Sequence, residues 1–263
     1  MVISFTKLGS YGRLGNQMFQ YATVRSVGIQ NGYKMRLPQH NFSLREMGLP
    51  MESLTKQDKM PNKYQEKHFH FDKGVFAVPD GTDFFGYFQS YKYFEEIPEI
   101  LIKEFSVKEP FELQAKQIVD KCLYSNDKNL GVVSIHIRRG DYVKLQEFHP
   151  FCGLNYYKKS IDYMSDMGQY TFIVCSDDID WCKKNISGPN IYYSESNNSF
   201  VDLAIMYKCD HNIVANSSFS WWGAWLNRNP NKMILYPSVW FGPKCPQDWY
   251  DLIPSEWEKI EVK

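Results

Sequence analysis

Apolar positions fall into two regimes along the chain. From residue 111 onward, blocks with helical spacing alternate with short β-branched runs. The pattern predicts helix 111–123, strand 130–138, helix 155–167, strand 170–175, helix 179–185, strand 190–194, helix 199–209, strand 211–215, helix 219–227 and strand 232–236. Such alternation with short joints predicts parallel strands linked by helical crossovers, an α/β fold. The first half is less regular. Alternation over 3–8 predicts an opening strand, and a glycine loop over 9–16 leads into a helix over 17–30 that Asn31-Gly32 stops. Further elements are predicted at 35–37 (strand), 83–90 (strand and turn) and 93–105 (helix). The polar stretch 38–82, broken by Pro and Gly, carries no assignment. The change of pattern near 105–112 predicts a domain boundary. The expected organisation is 1–108, then 109–245, with a C-terminal segment 246–263 whose Trp249, Leu252, Ile253 and Trp257 pack back onto the first half.

Composition narrows the function classes. A chain of 263 residues with 43% hydrophobic residues can bury real cores and is not broadly disordered. Lys+Arg and Asp+Glu both number 30, without the basic excess of a general nucleic-acid binder, so any anion binding is local. Cys122, Cys152, Cys175, Cys182, Cys209 and Cys245 are scattered without a C-x-x-C pair. That disfavours a zinc module or a disulfide scaffold and suggests buried thiols. The first residues lack a signal pattern and no run approaches a membrane span, so a soluble, reducing compartment is expected. The 18 Tyr, 18 Phe and 7 Trp supply core material and flat surfaces for stacking a ring or covering a sugar face.

Four stretches carry candidate chemistry. The densest is Ser134-Ile135-His136-Ile137-Arg138-Arg139-Gly140-Asp141-Tyr142, at the end of an apolar strand. Adjacent guanidiniums there suit an anion, because the flat fork of arginine matches a phosphate with two parallel hydrogen bonds. Strand alternation puts His136 and Arg138 on one face and sends Arg139 elsewhere. The blander alternative is a salt-bridged strand end with Asp141 neutralising one arginine. The second stretch, Gly9-x-x-Gly12-x-x-Gly15-Asn16, lets backbone approach a ligand at a helix N-terminus. Its spacing is not that of a dinucleotide fingerprint, Arg36 stands where an acid is needed, and a plain tight turn is the alternative. The third, Ser176-Asp177-Asp178-Ile179-Asp180, contains a formal D-x-D, yet helix capping explains it better than a metal does. The fourth, Asn216-Ser217-Ser218-Phe219-Ser220-Trp221-Trp222, offers helix N-terminal donors as a second anion cradle. Neither a P-loop nor a serine-hydrolase elbow occurs. The first, third and fourth of these stretches follow strands of the second half, and in a doubly wound sheet they would converge on one cleft at its carboxyl edge.

With these residues in place, His136-Ile137-Arg138-Arg139-Gly140-Asp141 resembles the H-x-R-R-x-D motif of α-1,2- and α-1,6-fucosyltransferases. Residues 12–22 (from Gly12-Arg13-Leu14-Gly15-Asn16-Gln17), Gly86-Tyr87-Phe88-Gln89-Ser90 and 217–224 resemble further signatures of the α-1,2 branch, glycosyltransferase family 11. The matches run in order from residue 12 to residue 224.

The resemblance implies a GT-B-like fold, two Rossmann-like domains facing a cleft, with donor and acceptor on different domains. It implies metal-independent, inverting transfer of L-fucose from GDP-β-L-fucose to O2 of a terminal β-galactoside, with no cofactor. By the same resemblance, Arg138 holds the β-phosphate and His136 and Asp177 face the guanosine part. Ser217, Ser218 and Ser220 lie near the diphosphate, and Arg13, Gly15 and Asn16 approach the fucosyl-phosphate side. Tyr87 and Gln89 fall on the acceptor side. Arg138, Asp141 and Asn16 are the candidate catalytic residues, and the general base stays unassigned. Arg13 stands where the common opening has glycine, which leaves its role open. A bacterial enzyme acting on a lipid-linked O-antigen or capsule unit, peripheral to the inner membrane, fits these expectations. A transferase of other linkage or donor, or a non-catalytic GDP-sugar or glycan binder, is the alternative.

Overall fold

Strand β1 (Val2–Ser4) and helix α1 (Leu14–Asn31) open the chain in this computed structural model, which describes residues 1–40, 42–50, 52–124 and 130–262. α1 starts three residues before the predicted point, so Gly15 and Asn16 lie in its first turn and not in the preceding loop. It stops as the sequence predicts. Gly32 takes a left-handed φ of 67°, and the N–H groups of Gly32 and Tyr33 donate to the carbonyls of Ile29 and Gly28. Strands β2 (Lys34–Arg36), β3 (Asn62–Gln65) and β4 (Thr82–Phe85) complete a parallel sheet of order β2-β1-β4-β3. Strand β3 was not predicted. It is an edge strand of Asn-Lys-Tyr-Gln, with neither face fully buried, so it lacks the apolar run that marks inner strands. Helix α2 (Pro98–Glu104) follows. Its buried Glu104 is compensated by the Arg25 guanidinium at 2.8 Å and the Tyr21 hydroxyl at 2.8 Å, as a carboxylate out of water requires. Residues 1–106 and 246–254 make up this first unit.

The second unit, 107–245 with 255–263, follows the predicted alternation closely. It comprises α3 (Phe111–Tyr124), β5 (Gly131–Ile137), α4 (Gly153–Met167), β6 (Tyr170–Ser176), α5 (Ile179–Asn185), β7 (Ile191–Tyr193), α6 (Ser199–Lys208), β8 (His211–Ile213), α7 (Ser218–Trp225), β9 (Ile234–Pro237) and β10 (Glu258–Ile260). All strands are parallel, in the order β10-β9-β8-β5-β6-β7. Val132, Val133, Ile135 and Ile137 of β5 are buried, the continuous apolar run of a strand covered on both faces. The expectation for 246–263 needs correction: only 246–254 joins the first unit. Residues 255–263 belong to the second, because β10 pairs with β9 and Trp257 packs with its ring 5.6 Å from Trp221. Among the described residues no helix is long and apolar enough to cross a membrane.

Strand order fixes where loops part. In the second sheet β5, β6 and β7 lie side by side, and β8 then returns to the other edge of β5. The loops leaving β5 and β8 therefore diverge at the carboxyl edge, the usual ligand position in open α/β sheets. The first sheet repeats the device, with β2 on one side of β1 and β4 on the other.

Candidate functional site

At the β5/β8 divergence of the second unit the HIRRGD stretch meets the start of α7. His136 is 5% exposed, its ring 5.3 Å from Phe219, and its Nδ1 is buried without a hydrogen-bond partner. Burial pushes its pKa down to about 4, with Asp177 opposing and Arg138 reinforcing the shift, so the imidazole is neutral at pH 7. A neutral ring with an unpaired buried nitrogen is a hydrogen-bonding position left for a ligand.

Arg138 leaves the strand just beyond Ile137. Its Nη1 donates to Asp177 Oδ2 at 2.5 Å and its Nη2 to Asp141, while the guanidinium lies 5.2 Å from the Tyr142 ring centre. Asp177 is itself fixed by the Arg139 N–H at 2.9 Å. Gly140 makes this approach feasible, because a Cβ there would stand 2.4 Å from Asp177 Oδ2. The Tyr142 hydroxyl donates to the Asn216 carbonyl at 3.2 Å and so ties this loop to the segment entering α7. Asn216 is anchored in turn, its amide donating to the carbonyls of Pro150 and Trp240.

An anion held between two neighbouring guanidiniums is not what the structure presents. Arg139 turns away, bonding Asp178 at 3.0 Å and lying 4.1 Å from the Trp181 ring centre. Asp178 also caps α5 through the Trp181 N–H, so it is engaged at both oxygens. Arg138 alone stays at the carboxyl edge with His136. Ser217 is the N-cap residue of α7 and makes no side-chain capping bond, and Ser218 is half-buried beside it. Ser220 is wholly buried, and its hydroxyl accepts the Ala215 N–H at 2.9 Å, holding the turn into α7.

The first unit assembles its own cluster where β1 and β4 diverge. Gly12 adopts φ 77°, and a Cβ there would lie 2.6 Å from that of Asn16. Asn16 Oδ1 accepts from Gln89 Nε2 at 2.8 Å, which joins the GRLGNQ and GYFQS stretches. The Tyr11 hydroxyl donates to the Gly86 carbonyl at 3.0 Å and accepts the Gly86 N–H at 2.9 Å. Its ring meets Tyr87 edge-on at 5.4 Å. Gly15 is buried inside the first turn of α1, so it serves packing and reaches a ligand only through its backbone. Arg13 is the N-cap residue of α1 and makes no capping bond with its side chain.

Two contributors escaped the sequence reading. Tyr142 followed the motif directly, but only the fold shows it bridging to Asn216. Glu66 gave no signal at all: it leaves β3 and accepts the N–H groups of Tyr87 at 2.6 Å and Phe88 at 2.8 Å, one on each oxygen. Burial pushes its pKa up to about 7 against those two hydrogen bonds. Phe88, held this way, has φ 53°, a conformation that costs energy without such support.

A family model, Glycosyl transferase family 11, matches residues 4–244. The chain is 31% identical to an α-1,2-colitosyltransferase of Escherichia coli, over 95% of this chain and 97% of that one. It is 29% identical to the O-antigen biosynthesis glycosyltransferase WbnK of Escherichia coli, over 88% and 93%. It is 25% identical to the mouse galactoside 2-α-L-fucosyltransferase Sec1, over 82% of this chain and 62% of that one. Among solved structures, the fucosyltransferase NodZ from Bradyrhizobium superposes with a TM-score of 0.58 at 10% identity, covering 84% of this chain and 91% of that one. The apo form of POFUT1 gives 0.52 at 14% identity, covering 89% and 97%. At such identities the structural likeness speaks for the fold, which is that of GT-B-like fucosyltransferases. The match across nearly the whole chain makes the protein a glycosyltransferase, a member of family 11 with α-1,2-transferring relatives.

Proposed function

We propose that this enzyme transfers L-fucose from GDP-β-L-fucose to O2 of a terminal β-galactoside with inversion, forming an α-1,2 linkage without a metal or other cofactor. The observation that carries the reading is the pairing of Arg138 with a neutral, unpartnered His136 at the carboxyl edge of β5, within a chain matched to the family over residues 4–244. Two further similarities support it. The mouse relative is a galactoside 2-α-L-fucosyltransferase, and a NodZ crystal of the same fold (TM-score 0.54, 10% identity) was soaked with GDP-fucose.

In this reading the acceptor O2 attacks the anomeric carbon from the face opposite the diphosphate. The carbon–oxygen bond to phosphate breaks, and its electron pair leaves with GDP. The O2 proton passes to a base, which stays unassigned. Negative charge develops on the β-phosphate, and fixed donors aimed there lower the barrier. Arg138 has five N–H donors, of which two serve the aspartates. Arg138, Asp141 and Asp177 together carry a formal excess of one negative charge, so an incoming diphosphate would displace a carboxylate. Asp141, with a side chain 41% exposed, is the more accessible of the two, and Asp177 is also held by the Arg139 N–H. The N–H groups of Ser218 and Phe219 at the start of α7 add donors beside the hydroxyls of Ser217 and Ser218. In the first unit, Asn16 and Gln89 with Tyr87 would orient the sugars. A lipid-linked acceptor would bring the enzyme to a membrane surface peripherally.

The test is GDP release and product formation with GDP-fucose and lactose, with and without EDTA. Turnover unaffected by EDTA and an α-1,2 product by NMR are expected. No GDP release would leave a sugar-nucleotide binder. The 31% identity to a colitosyltransferase favours one second reading, a donor lacking the 3-hydroxyl of fucose. A pocket that hydrogen-bonds that hydroxyl discriminates strongly against its loss, so relative kcat/KM for the two GDP-sugars decides between them.

Gly140→Ala tests the phosphate side independently. The new methyl would displace the Asp177 carboxylate and with it the seat of Arg138. GDP affinity should fall by about 10-fold or more, the worth of one charge-assisted hydrogen bond. Titration calorimetry on a variant whose melting temperature is near wild type would measure it.

A further inference from the structure

In the first unit, outside both clusters described above, two histidine rings and a carboxylate converge. His68 and His70 are two residues apart in the segment that leaves β3 and bends at Phe69 and His70, and both rings lie on the same side. Their rings are stacked, 4.8 Å between centres and 9° between planes. Asp248, in the 246–254 segment of the same unit, accepts the Phe69 N–H at 3.1 Å through Oδ2, which brings its carboxylate to the two rings. One ligand atom from each of the three lies within 4.8 Å of the others. His68, Asp248 and Glu66 line a pocket of 130 Å³.

We propose that His68, His70 and Asp248 form a binding site for a borderline divalent transition metal, with Zn²⁺ as its simplest occupant. Two imidazoles and one carboxylate are a donor set that suits such ions and leaves a fourth position for water. The surroundings of His70 point the same way. Its Nδ1 contacts the Phe71 carbonyl at 3.1 Å, an acceptor that only an N–H on that nitrogen can meet, so Nε2 is the nitrogen available to a metal. A metal-bound histidine ordinarily has its other ring nitrogen anchored in this manner. The Tyr250 ring, stacked 5.3 Å from His70 at 15°, further fixes the plane. In a tetrahedral zinc site the ligand atoms stand about 3.3 Å apart, given bonds of about 2 Å. Rotation of the exposed His68 side chain supplies the remaining approach. Occupancy would clamp the exit of β3 to the 246–254 segment, two residues from the Glu66 that holds the Tyr87-Phe88 turn. The site rests on the geometry of this unit and not on the proposed fucosyl transfer, and the metal would touch no reacting atom.

The test uses the untagged full chain, with Zn²⁺ competed against a chromophoric chelator and Co²⁺ as a spectroscopic probe. One equivalent of Zn²⁺ bound with micromolar or tighter affinity is expected, with visible Co²⁺ absorption of a low-coordinate site. His68→Ala and Asp248→Asn should each weaken binding by about 10-fold or more and abolish that absorption. Asp248→Asn keeps an acceptor for the Phe69 N–H, so its fold should persist. His40→Ala should bind as wild type. Absence of stoichiometric binding would overturn the proposal, and so would binding unchanged in both His68→Ala and Asp248→Asn. Neither result depends on turnover.

Discussion

Arg138→Ala is expected to lower kcat/KM for GDP-fucose by more than about 100-fold, while Arg138→Lys recovers only part of the loss. The guanidinium is seated between Asp141 and Asp177 over the Tyr142 ring, so its remaining donors are oriented before any ligand arrives. Such preorganisation is what makes a charge-assisted pair effective in a transition state. Two bonds of this kind are worth on the order of 3 kcal/mol, which at 25 °C corresponds to the stated factor. Lysine restores the charge but not the planar fork. Steady-state kinetics together with melting curves separate lost chemistry from lost fold. A variant with wild-type kinetics would remove Arg138 from the phosphate and with it the proposed donor site. Arg139→Lys should act differently, since Arg139 is spent on Asp178 and the Trp181 ring: its effect should appear in the melting temperature before it appears in kcat.

The contrast between these neighbouring arginines shows what a sequence can carry. Alternation along β5 already separates the faces of Arg138 and Arg139, because a strand has a period of two whatever surrounds it. Asp141, three residues on, was legible as a partner for Arg138, whereas Asp177 and Asp178 come from the turn between β6 and α5, some forty residues on, and no local pattern announces them. The strands of the second unit were legible for a related reason: runs such as Val132, Val133, Ile135 and Ile137 must be apolar on both faces. Edge strands escape that demand, which is why β3 (Asn62–Gln65) and β10 (Glu258–Ile260) left no mark. Serine is ambiguous in another way. Ser217, Ser218 and Ser220 read alike in the sequence, yet only the fold shows the Ser220 hydroxyl closing on the Ala215 N–H while Ser217 makes no capping bond. Glu66 was invisible because its role is to satisfy backbone N–H groups across a parallel pair, and any carboxylate along that stretch would read the same.

His136 should subtract from folding stability in acid, and its replacement by glutamine should remove that loss. The folded-state pKa is about 4, against 6.5 for the ordinary side chain, and burial is the main cause. Between those values the unfolded chain binds a proton that the folded chain refuses. The contribution of His136 is therefore intact above pH 6.5 and is lost as pH falls, approaching completion below pH 4. The gap corresponds to roughly 3 kcal/mol in full, most of it reached by pH 4.5. Glu66 acts with the opposite sign: its folded pKa of about 7 lies above the ordinary 4.5, so the folded chain holds the proton more tightly and gains stability as pH falls through that range. The two contributions are of similar size, and in the wild type they largely offset. Denaturant unfolding of wild type and His136→Gln at pH 7 and pH 4.5 isolates the histidine. The variant should gain on the wild type by about 2 kcal/mol on acidification. Parallel stability curves would mean that His136 is charged or solvated in the folded protein, and the neutral ring that the donor site requires would be lost with it.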